Sequence, residues 1–291
     1  MAWKGKTQGS LLGHKIFVFL IRHLGLKIAY LVLRFVALYY LFFSLKSTKS
    51  SFHFFREILK YKYFTAWLKV YKNYYVFGQT LIDKVAIMGG IRNKFTINHD
   101  GQFHLREIAA QGKGGIFISA HIGNYEVAGH LLNEIKAKIN IVMFDAEHEK
   151  IKSYFSEIYG ERPVNIIPVK DDLSHIFEIN KALKNQEIIC IHGDRYVEGG
   201  KVITTDFLGK EALFPLGPFQ LAKALKVPYS YVFAVKETDK HYHFFATPPK
   251  ISNGNVEEMV REYVTEVERM VKTYPEQWFN FYNFWAKNSH S

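Results

Sequence analysis

Gly-Ile-Phe-Ile-Ser-Ala-His-Ile-Gly-Asn-Tyr-Glu, residues 115–126, starts as a compact apolar strand and ends as the opening of a helix. The run Ile116–Ser119 has the unbroken apolar character of a strand covered on both faces. His121 then falls at the strand's carboxyl end, Gly123 permits a tight turn, and Asn124 is placed to cap the helix that follows. Glu126 falls in the first turn, where the helix dipole favours a carboxylate.

The pattern repeats outward. Strands are predicted over Gly115–Ala120, Ile139–Phe144, Asn165–Val169, Ile188–His192, Tyr229–Lys236 and Tyr242–Thr247. Helices are predicted over Gln102–Gln111, Tyr125–Lys136, Glu147–Tyr159, Asp172–Lys184, Gly217–Leu225 and Val256–Tyr274. Alternation of this kind implies an α/β fold, a largely parallel central sheet flanked by helices. In such sheets the working residues gather where strands end and loops begin.

His121 and Glu126 are the expected catalytic pair. An alcohol attacks a carbonyl well only if its proton is removed as the bond forms, and histidine is the usual base. A carboxylate that accepts the other imidazole N–H fixes the tautomer and stabilises the imidazolium formed during attack. The spacing alone is common, and a strand-end histidine with a helix-start glutamate is the plain structural alternative.

The amino-terminal quarter has a different chemistry. Residues 1–75 carry 13 Lys/Arg against one acid, Glu57, whereas residues 76–291 carry 25 against 26, so the formal charge of +11 resides in the first part of the chain. The same part holds the apolar runs Ile16–Ile21 and Ile28–Phe43. Basic and apolar residues together fit an anionic membrane surface; nucleic-acid binding calls for the basic residues but not for the apolar runs. Arg34 interrupts Ile28–Phe43, leaving it short of the ~20 apolar residues of a span, so a helix lying in or dipping into one leaflet is expected. A secretory signal peptide fits poorly, for no small-residue cleavage site precedes the basic cluster Lys46–Lys49. The expected organisation is a basic, apolar, membrane-associated helical region over residues 1–75 and an α/β domain over residues 76–291.

Four ordered features carry a family resemblance. His121-Ile122-Gly123-Asn124-Tyr125-Glu126 resembles the His-x4-acid signature of bacterial lipid A biosynthesis acyltransferases of the lauroyl and myristoyl type, within the lysophospholipid acyltransferase superfamily. Phe207-Leu208-Gly209 with Phe214-Pro215-Leu216-Gly217-Pro218 resembles a second block, Pro275-Glu276-Gln277-Trp278 resembles a third, and the basic apolar amino terminus is the fourth. The resemblance implies a glycerolipid acyltransferase-like fold and transfer of a fatty acyl group from a thioester to a hydroxyl of an amphipathic lipid. It implies acyl carrier protein rather than coenzyme A as carrier, no cofactor beyond that co-substrate, and attachment to the cytoplasmic face of a bacterial inner membrane. It also extends substrate binding to Gly123, Asn124, Asp194 and Arg195; Asp194 matches an aspartate the family carries after a buried strand. Two departures bear on the acceptor: tyrosine stands at position 125 where tryptophan is usual, and the nearest counterpart of a family arginine is Lys170. Acceptors outside lipid A, such as an amino-acid lipid or a polyene lipid, therefore stay open.

Other residues admit other classes. Cys190, the single cysteine, shares a strand face with His192, the arrangement a thiol-dependent hydrolase would need; a buried cysteine is more often an apolar filler. His241 and His243 alternate on a strand without a third ligand at metal spacing, so no metal is expected. The aromatic tail from Trp278 to Trp285 suits helix and sheet packing at least as well as an acyl channel. A membrane-binding protein without catalysis is the remaining class, favoured if His121 and Glu126 lie too far apart to share a hydrogen bond or one water.

Overall fold

The computed structural model describes residues 11–88, 95–124, 137–144, 164–170, 172, 174–196, 199–252 and 254–285. Helices α1 (Leu11–His23), α2 (Leu26–Phe43), α3 (Leu45–His53) and α4 (Tyr63–Met88) come first, with a π-helical turn at Phe54–Ile58. On α2, Leu26, Ala29, Tyr30, Leu33 and Ala37 are buried, a stripe at helical spacing that packs on α4. The opposite face leaves Leu31, Phe35, Leu38, Phe42 and Phe43 exposed. Helix α4 runs unbroken through residues 75 and 76.

The strands are β1 (Thr96–Asp100), β2 (Gly115–Ser119), β3 (Ile139–Phe144), β4 (Val164–Val169), β5 (Ile188–His192), β6 (Val202–Phe207), β7 (Lys210–Pro215), β8 (Tyr229–Thr238) and β9 (His241–Ala246). The remaining described helices are α5 (Gln102–Ala110), α6 (Ser174–Lys184), α7 (Gly217–Leu225) and α8 (Val256–Thr273). Seven strands form one sheet in the order β1-β9-β8-β2-β5-β3-β4, and every pairing is parallel except β8 with β9. The fold is thus the expected α/β type, a mostly parallel sheet flanked by helices. β2 lies near its centre and is buried along its whole length, as its apolar run requires.

All six strands expected from periodicity are present. Three more are found. β1 is an edge strand whose residues alternate between exposed and half-buried, and β6–β7 is a separate antiparallel hairpin that is likewise partly exposed. β1 and most of β6 are too little buried to carry an apolar signal, and β7 buries only Ala212, Phe214 and Pro215, too short a run to read as a strand. The hairpin turns at Leu208 and Gly209, both at positive φ as a two-residue hairpin loop needs. The helices expected over Tyr125–Lys136 and Glu147–Tyr159 lie outside the described residues.

Candidate active site

β2 and β5 are neighbours, with Ser119 opposite His192. Each chain then continues two residues past that pair, which brings His121 and Asp194 together at the carboxyl edge of the sheet. His121 Nδ1 lies 2.7 Å from Asp194 Oδ1, and the backbone N–H of His121 donates to Asp194 Oδ2 at 2.9 Å. The imidazole keeps 21% of its surface exposed while the carboxylate keeps 2%, so the carboxylate serves the histidine from behind.

The charge states follow from this geometry. Burial, then the neighbouring Arg195 cation, hold His121 below the usual histidine range, against the pull of Asp194. Burial opposes ionisation of Asp194, yet His121 and Arg195 outweigh it and hold this carboxyl below the usual range. At neutral pH the pair is a neutral imidazole donating Nδ1–H to a carboxylate, which directs the basic Nε2 outward.

The turn that carries His121 is pinned along its length. Phe279 N–H donates to His121 O at 2.9 Å, Gly123 N–H to Gln277 O at 2.9 Å, and Asn124 N–H to Ala234 O at 2.7 Å. Gly123 has φ +66°, and a Cβ there would fall 1.9 Å from Ala234 O, so glycine is required. Asn124 donates through its side chain to Thr80 O at 3.0 Å and to the Tyr242 hydroxyl at 3.3 Å. The Pro275–Trp278 segment is the buttress of this turn. Gln277 pairs both side-chain groups with the Lys236 backbone, Glu276 forms ion pairs with Lys69 and Lys72, and Trp278 is buried against Phe54 and Phe207.

Arg195 donates to Phe279 O at 2.7 Å and lies over the Tyr282 ring. Of the four residues expected to bind substrate, Asp194 contacts the His121 imidazole, Gly123 and Asn124 shape the turn that follows it, and Arg195 is tied to Phe279. Glu126 lies outside the described residues. Among the described residues, the contact to His121 Nδ1 that the sequence reading gave to Glu126 is made by Asp194.

Two groups beside His121 complete the edge. His192 Nδ1 is 2.7 Å from Ser119 Oγ, and its ring lies 4.3 Å from that of His121. Burial, then the charge of His121, push His192 down to about 3, so it stays neutral. Cys190, on the same face, has its thiol pushed up to about 12 by burial, which keeps it protonated. Beside His192 a small apolar cleft of about 40 Å³ lies against the sheet, lined by Ile141, Val142, Cys190, Val232, Ala234 and Phe244.

His121, His192 and Asp194 each place one possible metal-ligating atom within 4.8 Å of the others. Two imidazoles and a carboxylate are a familiar zinc set. Here both Asp194 oxygens already serve His121, and the adjacent Arg195 cation disfavours a second positive charge. The donor set fits acid–base chemistry better than metal binding. Elsewhere His243 Nδ1 meets Glu237 at 2.9 Å and His241 Nδ1 meets Thr96 Oγ1 at 2.7 Å.

A parallel sheet with a carboxylate-oriented histidine at its carboxyl edge has the geometry of a general-base site. The bacterial lipid A biosynthesis acyltransferase family model matches residues 16–287, and the chain belongs to that family. The chain is also 25% identical over 123 residues to the phosphatidylinositol mannoside acyltransferases of Mycobacterium tuberculosis strains H37Rv and CDC 1551. That match takes in 42% of this chain and spans 39% of the length of these curated relatives.

Proposed function

We propose that the protein is a membrane-bound O-acyltransferase in which His121 is the general base and Asp194 orients it. The observation that carries this reading is the 2.7 Å contact between His121 Nδ1 and Asp194 beside the apolar cleft. His121 Nε2 takes the proton of an acceptor hydroxyl as its oxygen attacks the thioester carbonyl. Collapse of the tetrahedral adduct expels the thiolate, which recovers the proton from His121, and the product is an ester with a free thiol. No covalent enzyme intermediate is needed.

The thioester carrier in this reading is acyl carrier protein, with coenzyme A the alternative. The acceptor is a glycolipid of the lipid A type or another hydroxylated amphiphile; the named activity of the mycobacterial relatives favours a glycolipid. Lipid profiling by mass spectrometry of cells with and without the gene tests the reading directly. One acylated species should disappear, naming acceptor and chain together, and an unchanged lipid profile would count against it.

Glu126, the acid of the His-x4-Glu motif, is kept in this reading as a further catalytic carboxylate. Glu126→Gln should lower turnover, but less than loss of His121. A variant as fast as the parent would reduce Glu126 to a helix-start residue.

Attachment to the cytoplasmic face of the inner membrane through the amino-terminal helices is part of the same reading. Helix α2 is long and apolar enough to be a candidate span, with mean hydropathy 1.8 and 28% of it buried. Phe64 on α4, with Phe35 and Phe42 on α2, is widely exposed, as apolar surface meant for lipid would be. Because the inner stripe of α2 covers α4, point changes are cleaner than truncation. Phe35→Ser with Phe42→Ser should weaken vesicle binding by about 1.5–3 kcal/mol per ring. Replacing Lys46, Lys49, Lys60 and Lys62 by glutamine should cost about 1 kcal/mol per charge on anionic vesicles only. Salt should erase the second effect and spare the first. Sedimentation with anionic and neutral vesicles at two salt concentrations reads both; binding to neither vesicle type would overturn the membrane assignment.

A further inference from the structure

A buried polar cluster joins α2 to the catalytic turn. Asp83 on α4 is fully buried and accepts hydrogen bonds from the Tyr30 hydroxyl on α2, the Tyr242 hydroxyl on β9 and the Lys236 ammonium on β8. Lys236 also donates to the Tyr30 hydroxyl at 3.0 Å and to Asp239 O at 2.7 Å. From Tyr242 the network passes to Asn124, which also donates to Thr80 O on the same helix as Asp83. Asn124 lies three residues from His121.

A buried ion pair is a poor device for stability alone, since apolar residues of the same volume often serve as well or better. What it does provide is geometry. Asp83 can satisfy its partners in one arrangement of three elements only, and an element displaced from it leaves a buried charge without its partners. One end of this arrangement is Tyr30, on the inner stripe of a helix whose outer face is apolar and exposed. The other end is the turn that holds the base.

We propose that Tyr30 and Asp83 are positioning residues for acyl transfer: the seating of α2 is transmitted through Tyr30, Asp83, Tyr242 and Asn124 to His121. This rests on the acyltransferase reading above. A helix pressed correctly onto α4 by its lipid surroundings aligns the base, and a helix displaced from α4 withdraws the contact that aligns it. Gly78 on α4 makes the coupling close, since a Cβ there would fall 2.3 Å from Leu33 of α2.

The test uses the full chain in vesicles of phosphatidylglycerol and phosphatidylethanolamine. Thiol release from dodecanoyl-acyl carrier protein is followed in the presence of a lipid extract from cells lacking the protein. Tyr30→Phe removes one hydroxyl and keeps the ring packing. It should lower kcat about tenfold, the size of one hydrogen bond to a charged group, with KM for the donor nearly unchanged and the melting midpoint lower by a few degrees, the protein remaining folded at the assay temperature. In a cycle with Asn124→Ala, the double variant should be no slower than Asn124→Ala alone, because both act on one path. Two fully multiplying effects would mean that Tyr30 acts only on overall packing, and a Tyr30→Phe enzyme at the parental rate would remove the coupling altogether. Should Tyr30→Phe fold poorly, Tyr242→Phe breaks the same path beyond α2, with the same expectation. His121→Ala is run alongside: a parental rate there sinks the acyl-transfer reading and the coupling with it, whereas an inactive His121→Ala beside a normal Tyr30→Phe sinks the coupling alone.

Discussion

Replacing His121 with alanine should lower turnover by about 10²–10⁴-fold, the usual contribution of a positioned general base. The loss should appear in kcat and in kcat/KM equally, because the proton transfer exists only in the transition state. Folding should survive, since the ring is partly exposed at the sheet edge and lies outside the apolar core. Vesicle binding should survive too, for the exposed apolar face of α2 lies on a separate element. Near-parental turnover by a folded, membrane-bound His121→Ala protein would end the proposed mechanism.

The second large effect is expected at Asp194. Asp194→Asn preserves shape and loses the charge that holds Nδ1–H toward the carboxylate, so the imidazole is free to present the wrong nitrogen to substrate. In a histidine-based triad the same change costs about 10⁴-fold, and a loss approaching that size is expected here, well beyond that of Glu126→Gln. The pH profile adds a check with a definite sign. A base works in its neutral form, so kcat/KM of the parent should rise through the pKa of His121 and level off above it. Burial and Arg195 place that pKa below the ordinary 6.5, so the rise should be complete by neutral pH. Asp194 is the group that pulls the pKa upward; in Asp194→Asn the acid limb should therefore move to lower pH while the plateau drops. A limb that shifts upward, or a plateau that does not fall, would show that Asp194 is not the partner that matters.

These effects concentrate at one turn because separate parts of the chain converge on it. The Pro275–Trp278 motif contains no residue bonded to the His121 imidazole among the described contacts, yet Gln277 O accepts from Gly123 N–H two residues beyond that histidine while the Gln277 side chain ties the motif to the Lys236 backbone. Glu276 adds a tie to α4 through Lys69 and Lys72, so the basic residues of the amino-terminal region are not all membrane-facing.

The sequence by itself determined the elements with strong apolar signals. β2, β3, β5 and β8 are runs of β-branched and aromatic residues, and the patterns of α7 and α8 ended close to their observed limits. It determined the position of His121 too, because a strand followed by His-Ile-Gly-Asn leaves that side chain at a strand end and demands glycine at the turn. β1 and β6 escaped because strands with little burial need no apolar period, and β7 because its buried stretch is only Ala212, Phe214 and Pro215. Which carboxylate serves His121 was decided by the tertiary structure: Asp194 is 73 residues away in sequence, and only the parallel register of β2 with β5 brings it within 2.7 Å. Asp83 left one faint trace, as the sole acid between Glu57 and Asp100. Its partners Tyr30, Lys236 and Tyr242 come from three distant segments, and hydrogen bonding across such distances has no period along the chain to betray it.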